Sequence, residues 1–237
     1  MSYKTGGLMK IGLVYTSTTP ELIQLVEAEV KKQLGTEAEL CTYTDPSILA
    51  ETREHGSVTG KAASRLIRMF LQAVLDGADA VLNICSSVGE AADAVQDMAK
   101  YIGVPIMRID EEMCRDAVRH GKRIGVMATL PTTLEPTKNT ILRVAREMGR
   151  DVELIDGLVD AFGLEPAEFQ KVMVKKAVEM KDQADVILLC QGSMAYVEEA
   201  IHTSCGIPTF SSPRYGAEAL KNALIDKGVI KKEKCLC

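Results

Sequence analysis

The chain has 237 residues, of which 46% are hydrophobic and 26% charged, and its net charge is −5. This length and composition predict a globular protein of one large or two small domains. The net negative charge and the absence of Trp disfavour nucleic acid as a partner, and apolar runs of strand length disfavour a membrane.

Apolar runs alternate with amphipathic segments along the first half of the chain. Strands are predicted at 10–15, 37–43, 79–84 and 104–109. Apolar residues recur at helical spacing behind Pro20, before Gly77 and before Gly103, and a short helix is predicted at 111–120. The polar segment 44–61 is the longest predicted loop and a candidate lid.

The second half repeats this order. Strands are predicted at 123–128, 152–155, 185–189 and 207–210, with helices that begin near Pro136, Pro166 and Met194 and a last helix at 213–227. Alternating strands and helices form parallel sheets with right-handed crossovers. We therefore predict an α/β fold of two pseudo-symmetric, flavodoxin-like, open parallel-sheet lobes with a site in the cleft between them. Residues 8–112 and 212–237 are assigned to the first lobe and residues 113–211 to the second.

Three pairs of segments match between the halves and occur in the same order. The pairs are KIGLVYTS from Lys10 with RIGVMATL from Arg123, ADAVLNICSS from Ala78 with ADVILLCQGS from Ala184, and GVP from Gly103 with GIP from Gly206. In the middle pair, Ala-Asp opens an apolar run that a cysteine ends. Matches in one order, separated by half the chain, indicate duplication and not a short-period solenoid.

Cys85 and Cys190 are therefore the candidate catalytic residues. Ligands of open parallel sheets bind beyond the carboxyl ends of the strands, where both cysteines lie. Each precedes a predicted helix N-terminus, whose N–H groups lower the pKa of a thiol. A thiolate from one lobe and a thiol from the other could remove and deliver a proton on opposite faces of one carbon. Cys41, Cys114 and Cys205 have no counterpart in the other half and are interpreted as core residues.

Small polar residues beside the strand ends are the candidate substrate-binding groups. They are Thr16, Ser17, Ser86, Ser87, Thr129, Gln191, Gly192 and Ser193. Their hydroxyl, amide and backbone N–H groups suit a substrate carboxylate or a developing enolate. A serine that begins a helix can also act only as its N-cap, so both interpretations of Ser86 and Ser87 stay open.

The motif inventory predicts no cofactor and no metal. The chain contains neither GxGxxG nor GxxxxGK, and its three histidines are far apart and away from cysteines at metal-ligand spacing. Seven cysteines without a recognisable export signal predict reduced thiols and a cytoplasmic protein.

The paired motifs resemble the Asp/Glu/hydantoin racemase superfamily. The resemblance rests on NICSS from Asn83, LCQGS from Leu189, GIP from Gly206 and the two-lobed repeat, and it covers about residues 10–227. It implies a cofactor-independent isomerase with one catalytic cysteine from each lobe, Cys85 and Cys190. It also implies a small-molecule substrate and a homodimer or higher homo-oligomer.

The residues around the cysteines depart from those of glutamate racemases. Those enzymes typically have Asn-Thr after the first cysteine, Thr-His after the second and Asp-Ser at the end of the first strand. This chain has Ser86-Ser87, Gln191-Gly192 and YTS from Tyr15. The resemblance thus implies a racemase or epimerase of a small carboxylate, an amino acid or a hydantoin-type substrate. Two alternatives stay open: a maleate-type cis–trans isomerase with one nucleophilic cysteine, and a non-catalytic small-molecule sensor.

Overall fold

The computed structural model describes residues 8–231, which form two four-stranded parallel sheets with helices packed around them. The first sheet contains β1 (Lys10–Tyr15), β2 (Glu39–Thr44), β3 (Ala80–Ile84) and β4 (Ile106–Arg108), in the order β2-β1-β3-β4. The second contains β5 (Arg123–Ala128), β6 (Glu153–Leu158), β7 (Val186–Leu189) and β8 (Thr209–Ser211), in the order β6-β5-β7-β8. The predicted fold of two similar parallel-sheet lobes is confirmed.

Helices connect the strands in both sheets. They are α1 (Pro20–Leu34), α2 (Pro46–His55), α3 (Gly60–Leu75), α4 (Gly89–Ala94), α5 (Gln96–Ile102), α6 (Glu111–His120), α7 (Pro131–Glu147), α8 (Pro166–Met180), α9 (Glu198–Cys205) and α10 (Ser212–Asp226). Two 3-10 turns, Ser86–Val88 and Gly192–Val197, follow the strands β3 and β7.

The repeated Ala-Asp pair fixes where the first strand of each sheet begins. The Asp79 carboxylate accepts a hydrogen bond from the backbone N–H of Lys10 at 3.0 Å. The Asp185 carboxylate accepts one from the backbone N–H of Arg123 at 2.8 Å. Because β1 and β5 are also almost fully buried between their neighbours, they form the centre of each sheet.

The strand order places the candidate residues at equivalent points of the two sheets. In each sheet the chain leaves the central strand for one side and returns on the other, which creates a crevice at the carboxyl ends of β1 and β3, and of β5 and β7. Thr16 and Cys85 follow β1 and β3, while Thr129 and Cys190 follow β5 and β7. The fold alone thus puts both cysteines where open α/β sheets bind ligands.

The last helix of each half packs against the sheet of the other half. Helix α6 contacts α7 and β7, and α10 contacts α1 and β3. Leu220 and Leu224 of α10 are buried with Ile11 and Leu13 of β1. The predicted lobe boundary at 112/113 falls inside α6 and the one at 211/212 precedes α10; both boundaries remain a prediction. Residues 232–237, assigned to the first lobe, lie outside the described residues.

Three local predictions are wrong. The segment 44–61 is not a loop, because Asp45 caps helix α2 and Pro46 takes its first position. Helix α7 begins at Pro131 and not near Pro136, which lies inside the helix. Met194 belongs to a 3-10 turn, and helix α9 begins after it. Proline and weak apolar stripes left these starts ambiguous in the sequence.

Two further observations concern the chain between residues 8 and 231. Its helices are each too short or too polar to cross a lipid bilayer. The five cysteines in this range are free thiols.

Candidate active site

Cys85 directly follows β3 in an extended conformation and is half-buried. Burial has the largest effect on its thiol and raises the pKa, and the Asp110 carboxylate raises it further. The Thr16 hydroxyl and the backbone N–H groups of Val88 and Ser87 face the sulfur and lower the pKa. The N–H groups therefore act as the sequence predicts, but burial outweighs them and the net pKa is raised.

Cys190 lies at the equivalent point of the second sheet and is fully buried. Its backbone N–H donates a hydrogen bond to the Met127 carbonyl at 2.9 Å. Burial, the largest effect, raises the pKa of the thiol to about 12. The Thr137 hydroxyl lowers the pKa, while the carboxylates of Asp110 and Asp156 raise it.

Helix α7 brings the two cysteine-bearing turns to one place. The hydroxyls of Ser87 and Thr133 share a buried hydrogen bond of 2.8 Å between the lobes. Thr137, one helical turn further along, faces Cys190. Side chains at positions i and i+4 of a helix have Cβ atoms about 5–6 Å apart. The turn that follows Cys85 and the side chain of Cys190 therefore meet on one face of α7.

A buried ion pair between Arg108 and Asp110, which the sequence did not predict, lies near both thiols. Arg108 Nε and Nη2 donate hydrogen bonds to the two Asp110 carboxylate oxygens at 2.9 and 3.0 Å, and Nη1 donates to Asp93 at 2.6 Å. Burial alone would raise the pKa of Asp110, but the Arg108 guanidinium outweighs it and holds the pKa below its usual value. Gly89 makes room for this pair, because a Cβ there would lie 2.3 Å from Arg108 Nη2.

The second lobe places a weaker pair at the matching position. The Ser211 hydroxyl at the end of β8 donates a hydrogen bond to the Glu198 carboxylate of α9. Burial is the main reason why the pKa of Glu198 is raised. In both lobes an acidic side chain of a helix contacts the end of the last strand. Asp93 meets the Arg108 guanidinium in the first lobe, whereas Glu198 meets the Ser211 hydroxyl in the second.

Four of the predicted binding residues surround the first thiol or its turn. Thr16, Ser86 and Ser87 are buried, whereas Ser17 is exposed. Among residues 8–231, no group satisfies the distance and angle of a hydrogen bond to the Thr16 or the Ser86 hydroxyl. Both hydroxyls can therefore bind a ligand. The Ser86 hydroxyl also lies close enough to Asp110 to lower the pKa of that carboxyl.

The predicted binding residues of the second lobe are arranged differently. The Gln191 amide donates to the Thr129 hydroxyl at 2.7 Å and accepts from the Thr129 backbone N–H at 2.8 Å. Gly192 lies against Leu22 of the first lobe, and Ser193 is exposed. The structure therefore brings Thr129 and Gln191 together beside Cys190, while the Gln191 side chain is already engaged.

An open cleft of about 560 Å³ lies between the end of α2 and the beginning of α7. Its wall contains Thr52, Arg53, Gly56, Ser57, Val58, Ser87, Glu90, Leu130, Pro131, Thr132, Glu135, Pro136 and Asn139. Ser87 connects this cleft to the turn of the first thiol, although neither cysteine lines it. At its rim the Arg53 guanidinium lies 4.4 Å from the centre of the Phe162 ring of the other lobe.

The missed residues left partial signals in the sequence. Arg108 and Asp110 are charges at the end of a predicted buried strand, a position where burial requires pairing. Thr133, Thr137 and Thr140 recur at helical spacing in α7. Both patterns indicate buried polar side chains, but neither pattern predicts which residues those side chains contact.

Solved structures of racemases share this fold. A glutamate racemase isoform from Bacillus anthracis is 17% identical, with a TM-score of 0.70 over 93% of this chain and 83% of that one. An allantoin racemase from Klebsiella pneumoniae is 15% identical, with a TM-score of 0.64 over 96% and 91%. An aspartate racemase homologue from Pyrococcus horikoshii is 14% identical, with a TM-score of 0.63 over 90% and 97%. At these identities the likeness establishes the fold.

Family membership follows from the sequence itself. No curated protein sequence matches the chain significantly. The model of the family described as Asp/Glu/Hydantoin racemase, however, matches residues 11–220, which is nearly the whole chain. The protein therefore belongs to the Asp/Glu/hydantoin racemase family and is an isomerase of the racemase type.

Proposed function

We propose that the protein is a cofactor-independent racemase or epimerase that uses Cys85 and Cys190 as its two proton-transfer groups. The observation that supports this most is the meeting of the two cysteine-bearing turns on one face of α7, through Ser87 with Thr133 and Cys190 with Thr137. Both thiols also lie close enough to one carboxylate, that of Asp110, for it to raise both pKa values.

In one direction the Cys85 thiolate removes the proton from the reacting carbon while the Cys190 thiol delivers a proton to the opposite face. The substrate leaves with inverted configuration, Cys85 becomes a thiol and Cys190 becomes a thiolate, so protons and charge balance. The other enantiomer reacts by the reverse transfer. The hydroxyls of Thr16 and Ser86 and the backbone N–H groups beyond Cys85 are suited to the charge that develops on the substrate.

The surroundings of the thiols favour substrates with an acidic C–H bond. The ionised group that reaches both thiols, Asp110, is committed to Arg108 and raises their pKa values. Without a neighbouring base to ionise them, the thiols form few thiolates near neutral pH. We therefore propose hydantoins or related cyclic ureides as better substrates than glutamate.

We propose that access to the buried Cys190 thiol requires the lobes to separate. Neither thiol lines the open cleft, and Cys190 is fully buried. The Ser87–Thr133 hydrogen bond and the Arg53–Phe162 contact both join the lobes beside that cleft. We propose that a substrate enters along the cleft as these contacts open and is enclosed when they form again.

The test is a screen of enantiopure amino acids and hydantoins in heavy water, read by polarimetry and by deuterium at the reacting carbon. Loss of optical rotation with deuterium uptake is expected for at least one hydantoin. Isomerisation of a double bond without such exchange would indicate the cis–trans isomerase, and binding without turnover the sensor. Glutamate racemisation with kcat/KM of about 10⁴ M⁻¹s⁻¹ or more would show that the substrate proposal is wrong.

Independence from cofactors is tested with the same assay. Dialysis against a chelator is expected to leave the activity unchanged, because two thiols suffice for the proton transfers. Loss of activity that a divalent metal restores would contradict this part of the proposal.

A further inference from the structure

Helix α7 presents a buried row of threonines to the boundary between the lobes. Thr133, Thr137 and Thr140 are each at most 2% exposed. The Thr137 hydroxyl donates a hydrogen bond to the Thr133 carbonyl at 2.8 Å, and the Thr140 hydroxyl donates to the Pro136 carbonyl at 2.9 Å. Both bonds run back four residues, as threonines inside helices commonly do.

Thr137 differs from Thr140 in what it faces. The sulfur of Cys190 is buried in an apolar cluster that includes Leu134 and Ile141 of α7. Thr137 lies between these two on the same helix face, three residues after the first and four before the second. The Thr137 hydroxyl is therefore the polar group that α7 presents to the Cys190 sulfur.

A threonine hydroxyl can serve both protonation states of a thiol. While it donates to the Thr133 carbonyl, its oxygen can accept the weak hydrogen bond of a neutral S–H group. After the thiol loses its proton, the hydroxyl can rotate about its C–O bond and donate to the thiolate instead. A neutral bond to a carbonyl is then exchanged for a charge-assisted bond to sulfur, which is the stronger kind.

We propose that Thr137 is a positioning residue that supports Cys190 in both of its states, as acceptor to the thiol and as donor to the thiolate. The inference rests on the proposed function of Cys190 as a proton-transfer group. Thr137 does not touch the substrate in this arrangement. It acts through Cys190, whose side chain is fully buried.

The other titratable groups near Cys190 lie outside α7. The titratable and charged groups that face the thiol are Asp110 after β4, Asp156 of β6 and Cys114 of α6. The two carboxylates disfavour the thiolate, and the Thr137 hydroxyl is the group that opposes them. A change in the ionisation of Cys190 on substitution of Thr137 thus reports the hydroxyl.

The experiment compares Thr137→Val with Thr140→Val in the full-length protein. Both substitutions replace a buried hydroxyl that donates to a carbonyl four residues earlier, so the loss within the helix is matched. We expect Thr137→Val to lower kcat/KM about ten- to hundredfold and to move the rising limb of its pH profile to higher pH. Thr140→Val is expected to leave the pH profile unchanged, and Thr137→Ser to restore most of the activity.

A second measurement does not depend on turnover. The pH at which methyl methanethiosulfonate modifies Cys190 at half its maximal rate is determined by mass spectrometry, and we expect Thr137→Val to raise it by about one pH unit. An unchanged midpoint, or equal shifts in both valine variants, would overturn the inference. If no protein racemises any substrate while the midpoint moves as expected, the proposed function fails and the role of Thr137 beside the thiol stands.

Discussion

The turns that carry Cys85 and Cys190 occupy equivalent places in two similar sheets, yet their surroundings differ. Cys85 is half-buried, and a hydroxyl and two backbone N–H groups face its sulfur. Cys190 is fully buried, and within the described chain the Thr137 hydroxyl is the donor that lowers its pKa. Duplication therefore fixes where each thiol lies, whereas burial and donors, which each lobe supplies separately, set how readily it ionises.

The residues after the thiols show the same contrast. Ser87 bonds to Thr133 of the other lobe, whereas Gln191 bonds to Thr129 of its own lobe. On the proposed route of entry between the lobes, a substrate would break the first interaction and not the second. The first turn is thus joined to the other lobe, while the second is joined to its own lobe.

The largest expected effect concerns the two thiols themselves. Replacement of either cysteine by serine should reduce racemisation by at least about 10²–10⁴-fold, because a hydroxyl is a far weaker acid than a thiol. If the two cysteines serve opposite faces, Cys85→Ser and Cys190→Ser should each still exchange the proton of one enantiomer, and not the same one. Deuterium uptake by each pure enantiomer measures this. Cys205→Ser, which changes a thiol outside the site, is the control, and parental racemisation by Cys190→Ser would exclude a two-base mechanism.

The buried ion pair of Arg108 with Asp110 should contribute more to stability than the hydrogen bond of Ser211 with Glu198. Arg108→Met leaves Asp110 as an unpaired buried carboxylate, and the free energy of unfolding should fall by about 3–5 kcal/mol. Glu198→Gln keeps a hydrogen-bond partner for Ser211, and the loss should be about 1 kcal/mol or less. Urea denaturation of both variants measures the difference. Equal losses would show that the two lobes are supported alike.

An effect of intermediate size is expected for the order in which the two thiols ionise. Raised pKa values in both turns mean that the thiolate needed as base becomes more abundant as pH increases, so kcat/KM should rise between about pH 7 and 9. Because more donors face Cys85, alkylation by iodoacetamide should modify it about tenfold faster than Cys190 at pH 8. Peptide mass spectrometry identifies the labelled cysteine. Faster labelling of Cys190 would reverse the assignment of the more acidic thiol.

The smallest effect concerns the bond between the lobes. Ser87→Ala removes a buried hydroxyl that pairs with Thr133 and should lower the free energy of unfolding by about 1 kcal/mol. Ser193→Ala changes an exposed serine of the second lobe and should alter it by less than about 0.5 kcal/mol. Thermal unfolding of both variants gives the comparison. An equal loss of free energy of unfolding in Ser193→Ala and Ser87→Ala would contradict the buried hydrogen bond between Ser87 and Thr133.

The central strands could be predicted from the sequence to the residue, and the edge strands less well. Segments 10–15 and 123–128 coincide with β1 and β5, because a buried central strand requires an uninterrupted apolar run. Strand β6 extends beyond the predicted 152–155 because an edge strand tolerates exposed polar residues that hide its end. Helix α2 was missed for a related reason, since few of its side chains are buried.

The candidate site could be predicted in position but not in environment. Cys85 and Cys190 were found because a repeat marks equivalent points of two sheets, and their catalytic role stays a prediction. Asp110 was missed because its burial depends on Arg108 and on the space left by Gly89, which are distant in sequence from each other. Thr137 was missed because its partner sulfur lies on another element. Local sequence patterns predict where strands end, whereas contacts between different elements can be identified only once the fold is known.

The exchange of helices between the sheets has a consequence for synthesis on the ribosome. The apolar face of the first sheet, which includes Ile11 and Leu13, is covered in part by Leu220 and Leu224 of α10. That helix follows every strand of both sheets in the chain, so the core of the first lobe is complete only after both sheets have been translated. A nascent chain that ends after the first sheet exposes this face, and chaperones that shield apolar surfaces are expected to bind it until α10 emerges.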